Sequence, residues 1–320
     1  MARLPMLKLP RIKLQSGYPI SIDDERSLPD GYDGPAFVWD IDKTYLSTNF
    51  SSMHGLLRIP LEFAVDKIAI PGMPEVIRAL RRGPGEEYVG TPLYFVSASP
   101  PQLRKVLEHK MLMDGVEYDG ITSKDWLGCL AQLRPGRLRE QIGFKLCALL
   151  AGKAHRPQAC EYLFGDDVEK DAVAFHLYAQ LVNGELSPGD ATAAMSANGV
   201  KRDDRKSAFG LLEGLPRKLG RVERIFINLE RNTDPAKFDQ YGSMVVPVRG
   251  AGQLAFSLFE LGLLDTRAVS QVVEAIQARS RSPEELVELL TGDALDRGLL
   301  SRTSVEALGL AEYAVPPAGD

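Results

Sequence analysis

Residues 36–44 read AFVWDIDKT. The first six form a short apolar run closing on an acid, the pattern of a parallel strand buried on both faces with a polar group at its carboxyl end. Four more runs have that character: residues 93–96 (LYFV), 161–164 (EYLF), 224–229 (RIFINL) and 244–248 (MVVPV). Helical spacing lies between and after them. Val76, Ile77 and Leu80 share one face, with Gly83 as terminator; Leu103, Val106 and Leu107 share another. A third helix is expected over residues 144–150, and a fourth carries Leu254, Leu258 and Leu261 and ends near Gly262. Strands alternating with helices predict βαβ units, hence an α/β fold with a Rossmann-like parallel sheet covered on both faces.

Outside that alternation the chain changes character. Residues 1–35, rich in Pro, Gly and Asp, read as an irregular N-terminal arm. Residues 45–71 have mixed character and close on Pro71–Gly72, and the Gly-rich, basic stretch 184–220 reads as an insertion before the next strand. Residues 265–320 read as a helical C-terminal extension, in which Ser282-Pro283-Glu284-Glu285 has the form of a helix start. No internal repeat is present.

Composition narrows the function classes. A net charge of −5 over 320 residues argues against attraction to nucleic acid or to an anionic membrane. Cys129, Cys147 and Cys160 have no metal-type spacing and read as reduced thiols of a cytoplasmic protein. The opening MARLPMLKLPRIKL is broken by Pro5 and Pro10, so it reads as a surface arm or a peripheral membrane contact, with no transmembrane segment in the chain. His54, His109, His155 and His176 are scattered without ligand spacing. The cations Lys201, Arg202, Arg205, Lys206, Arg217, Lys218, Arg221 and Arg224 read as a solvated face or as a contact for an anionic substrate.

The acids sit where open parallel sheets bind ligands, at the carboxyl ends of strands. Asp40 and Asp42 end the first run, Ser97 and Ser99 follow the second, and Asp166, Asp167 and Asp171 follow the run at 161–164. Lys145 stands near a helix start between them, with Lys124 and Lys153 as alternatives. Clustered carboxylates of this kind are neutralised by Mg²⁺, and a phosphoryl group further requires a cation and hydroxyl or amide donors. A carboxylate then serves as nucleophile, and a second as acid and base.

With these residues in view, Asp40-Ile41-Asp42-Lys43-Thr44 resembles the DxDxT signature of haloacid dehalogenase phosphatases. Ser97, Lys145 and the acidic stretch Gly165-Asp166-Asp167-Val168-Glu169-Lys170-Asp171 resemble the other three motifs of that superfamily. Residues 70–80 (IPGMPEVIRAL), 94–103 (YFVSASPPQL), Lys124-Asp125-Trp126 and 164–171 (FGDDVEKD) are similar to the phosphatidate phosphatases of the actin-patch type. The likeness spans about 36–180 and 222–264, and it implies a small cap region at about 45–70. It implies Asp40 as nucleophile and metal ligand and Asp42 as general acid/base with its carbonyl on the metal. Thr44, Ser97, Ala98 and Lys145 would face the substrate, Asp166 would ligate Mg²⁺, and Asp167 or Asp171 would support it. That family commonly has an acid where Lys43 stands and a small residue where Asp167 stands. The implied activity is phosphomonoester hydrolysis, with a lipid phosphate as one substrate. Hydrolysis of nucleic-acid ends or phosphoprotein, and phosphate binding without turnover, are the alternatives.

Overall fold

The strand β2 (Pro35–Asp40) is buried along almost its whole length and lies in the middle of the sheet, where both of its edges are paired. On one side it runs parallel to β5 (Leu93–Ser97), with Asp40 opposite Val96; on the other it runs parallel to β7 (Cys160–Asp166), with Trp39 opposite Phe164. The computed structural model describes residues 20–24, 26–41, 44–47, 68–99, 101–124 and 141–314. Asp42, Lys43, His54, Asp125, Trp126, Cys129, most of the expected cap and most of the N-terminal arm lie outside the described residues.

Among the described residues the main sheet has seven strands in the order β1-β6-β5-β2-β7-β8-β9. Here β1 is Ile20–Asp24, β6 is Gly120–Lys124, β8 is Val222–Asn228 and β9 is Val245–Val248. All neighbours are parallel except β1, which pairs antiparallel with β6 at one edge. Numbered along the chain, the six parallel strands run 3-2-1-4-5-6, the doubly wound order, and its direction reverses between β2 and β7. The ligand crevice of such a sheet opens at that reversal, outside the carboxyl ends.

Period-two alternation sends each strand's residues to two cores. Trp39, Phe95, Phe164 and Phe226 face one side. They pack there against α1 (Met73–Arg82), α2 (Pro101–Met113), α7 (Gly250–Glu260), α8 (Thr266–Gln277) and α9 (Pro283–Asp296). Val38, Val96, Leu163, Ile225 and Ile227 face the other. That side is covered by α3 (Gln141–Lys153), α4 (Asp171–Val182), α5 (Pro188–Ala197) and α6 (Arg202–Glu213). Across β2, β7 and β8 the rings of Trp39, Phe164 and Phe226 stack with centroids 3.9 and 5.3 Å apart. This rigid aromatic step lies one residue below Asp40 and two below Asp166.

Several expectations change. The arm is not irregular throughout, because Ile20–Asp24 forms the antiparallel edge strand. Strand β6 was not legible as a strand, since Gly-Ile-Thr-Ser-Lys carries one large apolar residue and is buried by its place between neighbours. The stretch 184–220 holds two helices, α5 and α6, with Ser187 capping the first by accepting the Asp190 N–H. The expected cap is bracketed by a two-stranded stem in which β3 (Leu46–Ser47) pairs antiparallel with β4 (Ile68–Ala69). The tail is helical, as α8, α9 and α10 (Arg302–Ala307), and Val272, Ile276, Val287, Ala294, Val305 and Leu308 are buried in the same core as Trp39. Ser282 does stand at the start of α9 with Pro283 after it, but its hydroxyl makes no capping bond. Among the described residues no helix is long and apolar enough to cross a membrane.

Candidate active site

Asp40 has the same parity along β2 as Val38, so its side chain leaves the sheet on the α3 side. Lys145, in the second turn of α3, meets it there: Nζ lies 2.9 Å from Asp40 Oδ1, and both side chains are buried. The same ammonium reaches Glu169 Oε2 at 3.0 Å and Asp171 Oδ1. Lys153 does not share this place. Lys124 Nζ sits 5.3 Å from the Phe144 ring centroid, and Lys153 lies at the far end of α3 against Glu161.

The loop after β7 is built to bring its acids back. Asp166 Oδ1 accepts the N–H groups of Val168 and Glu169, which folds residues 166–169 into a tight turn. Lys170 then takes a left-handed conformation with φ of 63°, uncommon for a side-chain-bearing residue, and α4 starts at Asp171. Asp171 Oδ2 accepts the Asp166 N–H at 3.1 Å. Gly165 makes this approach feasible: a Cβ there would lie 2.5 Å from Asp171 Cβ and 2.6 Å from its Oδ2.

Four carboxylates thus face one ammonium: Asp40, Asp166 and Asp171, which are buried with Lys145, and Glu169, which is partly exposed. Burial pushes the Asp40 carboxyl well above its usual range, with the Asp171, Glu169 and Asp166 charges adding to burial and Lys145 opposing it. Asp166 is pushed up to about 8, by burial first and then by Asp171. Burial alone would lower the Lys145 pKa, yet Asp171, Asp40 and the other acids hold it well above the ordinary lysine value. Oxygens of Asp40, Asp166 and Asp171 all lie within 4.8 Å of one another. Asp40 Oδ2 and Asp166 Oδ2 are buried and have no hydrogen-bond partner among the described residues. Two orphaned carboxylate oxygens and an excess of negative charge fit a hard divalent cation such as Mg²⁺.

Ser97, buried at the end of β5, is the next strand terminus beside Asp40, and its Oγ accepts the Ser99 N–H at 3.1 Å. Ala98 after it is half-buried. Thr44 is buried, and its Oγ1 has no partner among the described residues. Asp167 is not brought to the cluster. Its carboxylate accepts the N–H groups of Arg231 at 3.0 Å and Thr233 at 3.3 Å, bracing the loop after β8. Glu169, which sequence reasoning passed over, is brought in by the turn that its N–H closes on Asp166 Oδ1; no spacing rule signals that turn. The three described histidines stay apart from the cluster: His155 pairs with Asp24 at 2.8 Å, His176 lies against Tyr241, and His109 is exposed.

No family model matches the chain, and neither a curated protein nor a solved structure matches it.

Proposed function

We propose that this chain is a Mg²⁺-dependent phosphomonoester hydrolase of the haloacid dehalogenase type, with Asp40 as its nucleophile. The observation that carries the reading is the pair of orphaned oxygens on Asp40 and Asp166, flanked by Lys145, at the point where the strand order reverses. Asp40, Asp166 and Asp171 would hold the cation, which when bound neutralises the carboxylates and the incoming phosphoryl charge. A carboxylate oxygen of Asp40 attacks phosphorus, the bond from phosphorus to the ester oxygen breaks, and an aspartyl-phosphate forms. The departing oxygen takes a proton, a step that the resemblance assigns to Asp42. Water then attacks the acyl phosphate, releasing phosphate and restoring the carboxylate. Lys145 would stabilise charge on the transferring group, and Ser97 would donate its hydroxyl to a phosphoryl oxygen.

Burial of Asp40 and Lys145 supports this role, because charges held in a low-dielectric site act strongly on a charge that develops there. The resemblance to phosphatidate phosphatases makes a lipid phosphate the first substrate to try. The experiment is a screen of lipid, nucleotide, sugar and peptide phosphates with Mg²⁺, with acid trapping of phosphorylated protein, using wild type and Asp40→Asn. Hydrolysis with a trapped phosphoprotein in wild type alone is expected. Turnover that survives Asp40→Asn would remove the nucleophile, and binding without turnover of any ester would turn the reading to a phosphate-binding protein.

A further inference from the structure

Lys145 Nζ has three carboxylate partners: Asp40 Oδ1, Glu169 Oε2 and Asp171 Oδ1. An ammonium offers three donors and no more. A phosphoryl oxygen reaches this nitrogen only if one carboxylate gives way. The three are unequal. The side chains of Asp40 and Asp171 are 2% and 0% exposed, and Asp171 is also tied to the Asp166 N–H. The Glu169 side chain is 20% exposed and sits in the turn between Asp166 and the left-handed Lys170. Moving Glu169 outward hydrates its charge, whereas moving either aspartate strands a charge inside the core.

We infer that Glu169 is a placeholder, a positioning residue whose carboxylate occupies the anion position on Lys145 and swings to solvent when the phosphoryl group of the substrate arrives. This rests on the phosphatase reading of the site. It also names a substrate class. A monoester dianion brings two charges against the one charge of Glu169, while a diester monoanion brings only one. Glu169 therefore selects for dianionic monoesters and against diesters by competing for the same ammonium.

The test is calorimetric titration of the full chain with inorganic phosphate and with dimethyl phosphate, in saturating Mg²⁺, for wild type, Glu169→Gln and Glu169→Ala. Removing a like charge a few ångströms from the anion position should tighten phosphate binding by about tenfold or more. It should also narrow the preference for phosphate over dimethyl phosphate, and leave the melting temperature undiminished, since the cluster loses one of its crowded charges. A merely structural Glu169 would lower the melting temperature and weaken binding. Equal or weaker phosphate binding in both variants, or no phosphate binding by any form, overturns the placeholder. Tighter binding in the variants with no ester ever hydrolysed would keep the placeholder and remove the phosphatase reading. Hydrolysis by wild type with unchanged KM and phosphate affinity in the variants would do the reverse.

Discussion

Gly165 and Asp171 touch so closely that neither tolerates much change in the other. Gly165→Ala places a methyl against the Asp171 carboxylate, which must then leave the Asp166 amide or the Lys145 ammonium. Overpacking of that kind costs about 1–3 kcal/mol, and Mg²⁺ should bind more weakly as the cluster spreads. Denaturant melts and a Mg²⁺ titration check both, and an unchanged Mg²⁺ affinity would show that Asp171 is not held by this contact. Acidity gives a second prediction. Burial and the Asp171 charge push the Asp166 carboxyl up to about 8 from its ordinary 3.8, and Asp40 is raised too. A raised carboxyl contributes stability that is complete below the unfolded value and is lost as pH rises through the folded one. Metal-free protein should therefore lose roughly 2 kcal/mol of stability between pH 6 and pH 8, and Mg²⁺ should abolish the loss by accepting the charge. Melts at the two pH values with EDTA or Mg²⁺ decide it; metal-free stability that is flat or rises would be the wrong sign.

Strand β7 carries a buried charge at each end, and the two ends do different things. At its carboxyl end are Asp166 and the site. At its amino end Glu161 is buried among Arg156 Nε at 2.6 Å, Lys153 Nζ at 3.5 Å and the Tyr178 hydroxyl. Burial pushes the Glu161 pKa up, but Lys153 and Arg156 bring it below its ordinary value. Glu161→Gln would leave Lys153 and Arg156 buried against a neutral group, a change worth about 3–5 kcal/mol. Mg²⁺ affinity should be untouched, because the proposed cation site is at the opposite end of the strand. A matching loss of both would mean that the two ends are coupled. The sequence made one end plain and the other obscure. Asp40, Ser97 and Asp166 were legible because each follows an apolar run, and polar residues at strand termini mark the rim of a parallel sheet. Glu161 stood inside such a run and read as strand. Strand β6 and edge strand β1 (ISIDD) lacked apolar runs, since an interior strand can be covered by its neighbours and an edge strand alternates half-buried with exposed positions. The cap of α5 was written in Ser187-Pro188 with Asp190, but the surrounding glycines and cations made the segment read only as an insertion. Asp167 was misleading for a local reason: adjacent residues diverge at a turn, and only one of Asp166 and Asp167 points into the site.

Two cores on a single sheet tie distant parts of the chain into one body. Helices α8 to α10 place Val272, Ile276, Val287 and Leu308 in the cluster that also holds Trp39, Phe164 and Ile77. Gln253 in α7 donates to Asp293 in α9 at 2.7 Å, and Arg297 after α9 donates to the Pro247 carbonyl at the end of the sheet. A chain ending at residue 264 should therefore lack a cooperative melt, bind a hydrophobic dye and lose its near-ultraviolet dichroism while keeping helical signal. A sharp, native-like transition in that truncated chain would show that the helices are dispensable to the core.

The central place of β2 also bears on how the protein is made. This strand is synthesised before either of its partners, β5 following first and β7 only after residue 160. Until then the nascent chain carries a largely apolar strand with one edge bare, the state in which chains pair with each other. Slow translation between β5 and β7 lengthens that interval. Prematurely ended products that contain β2 and lack β7 are thus expected in the aggregated fraction of a cell-free synthesis, while completed chains remain in solution.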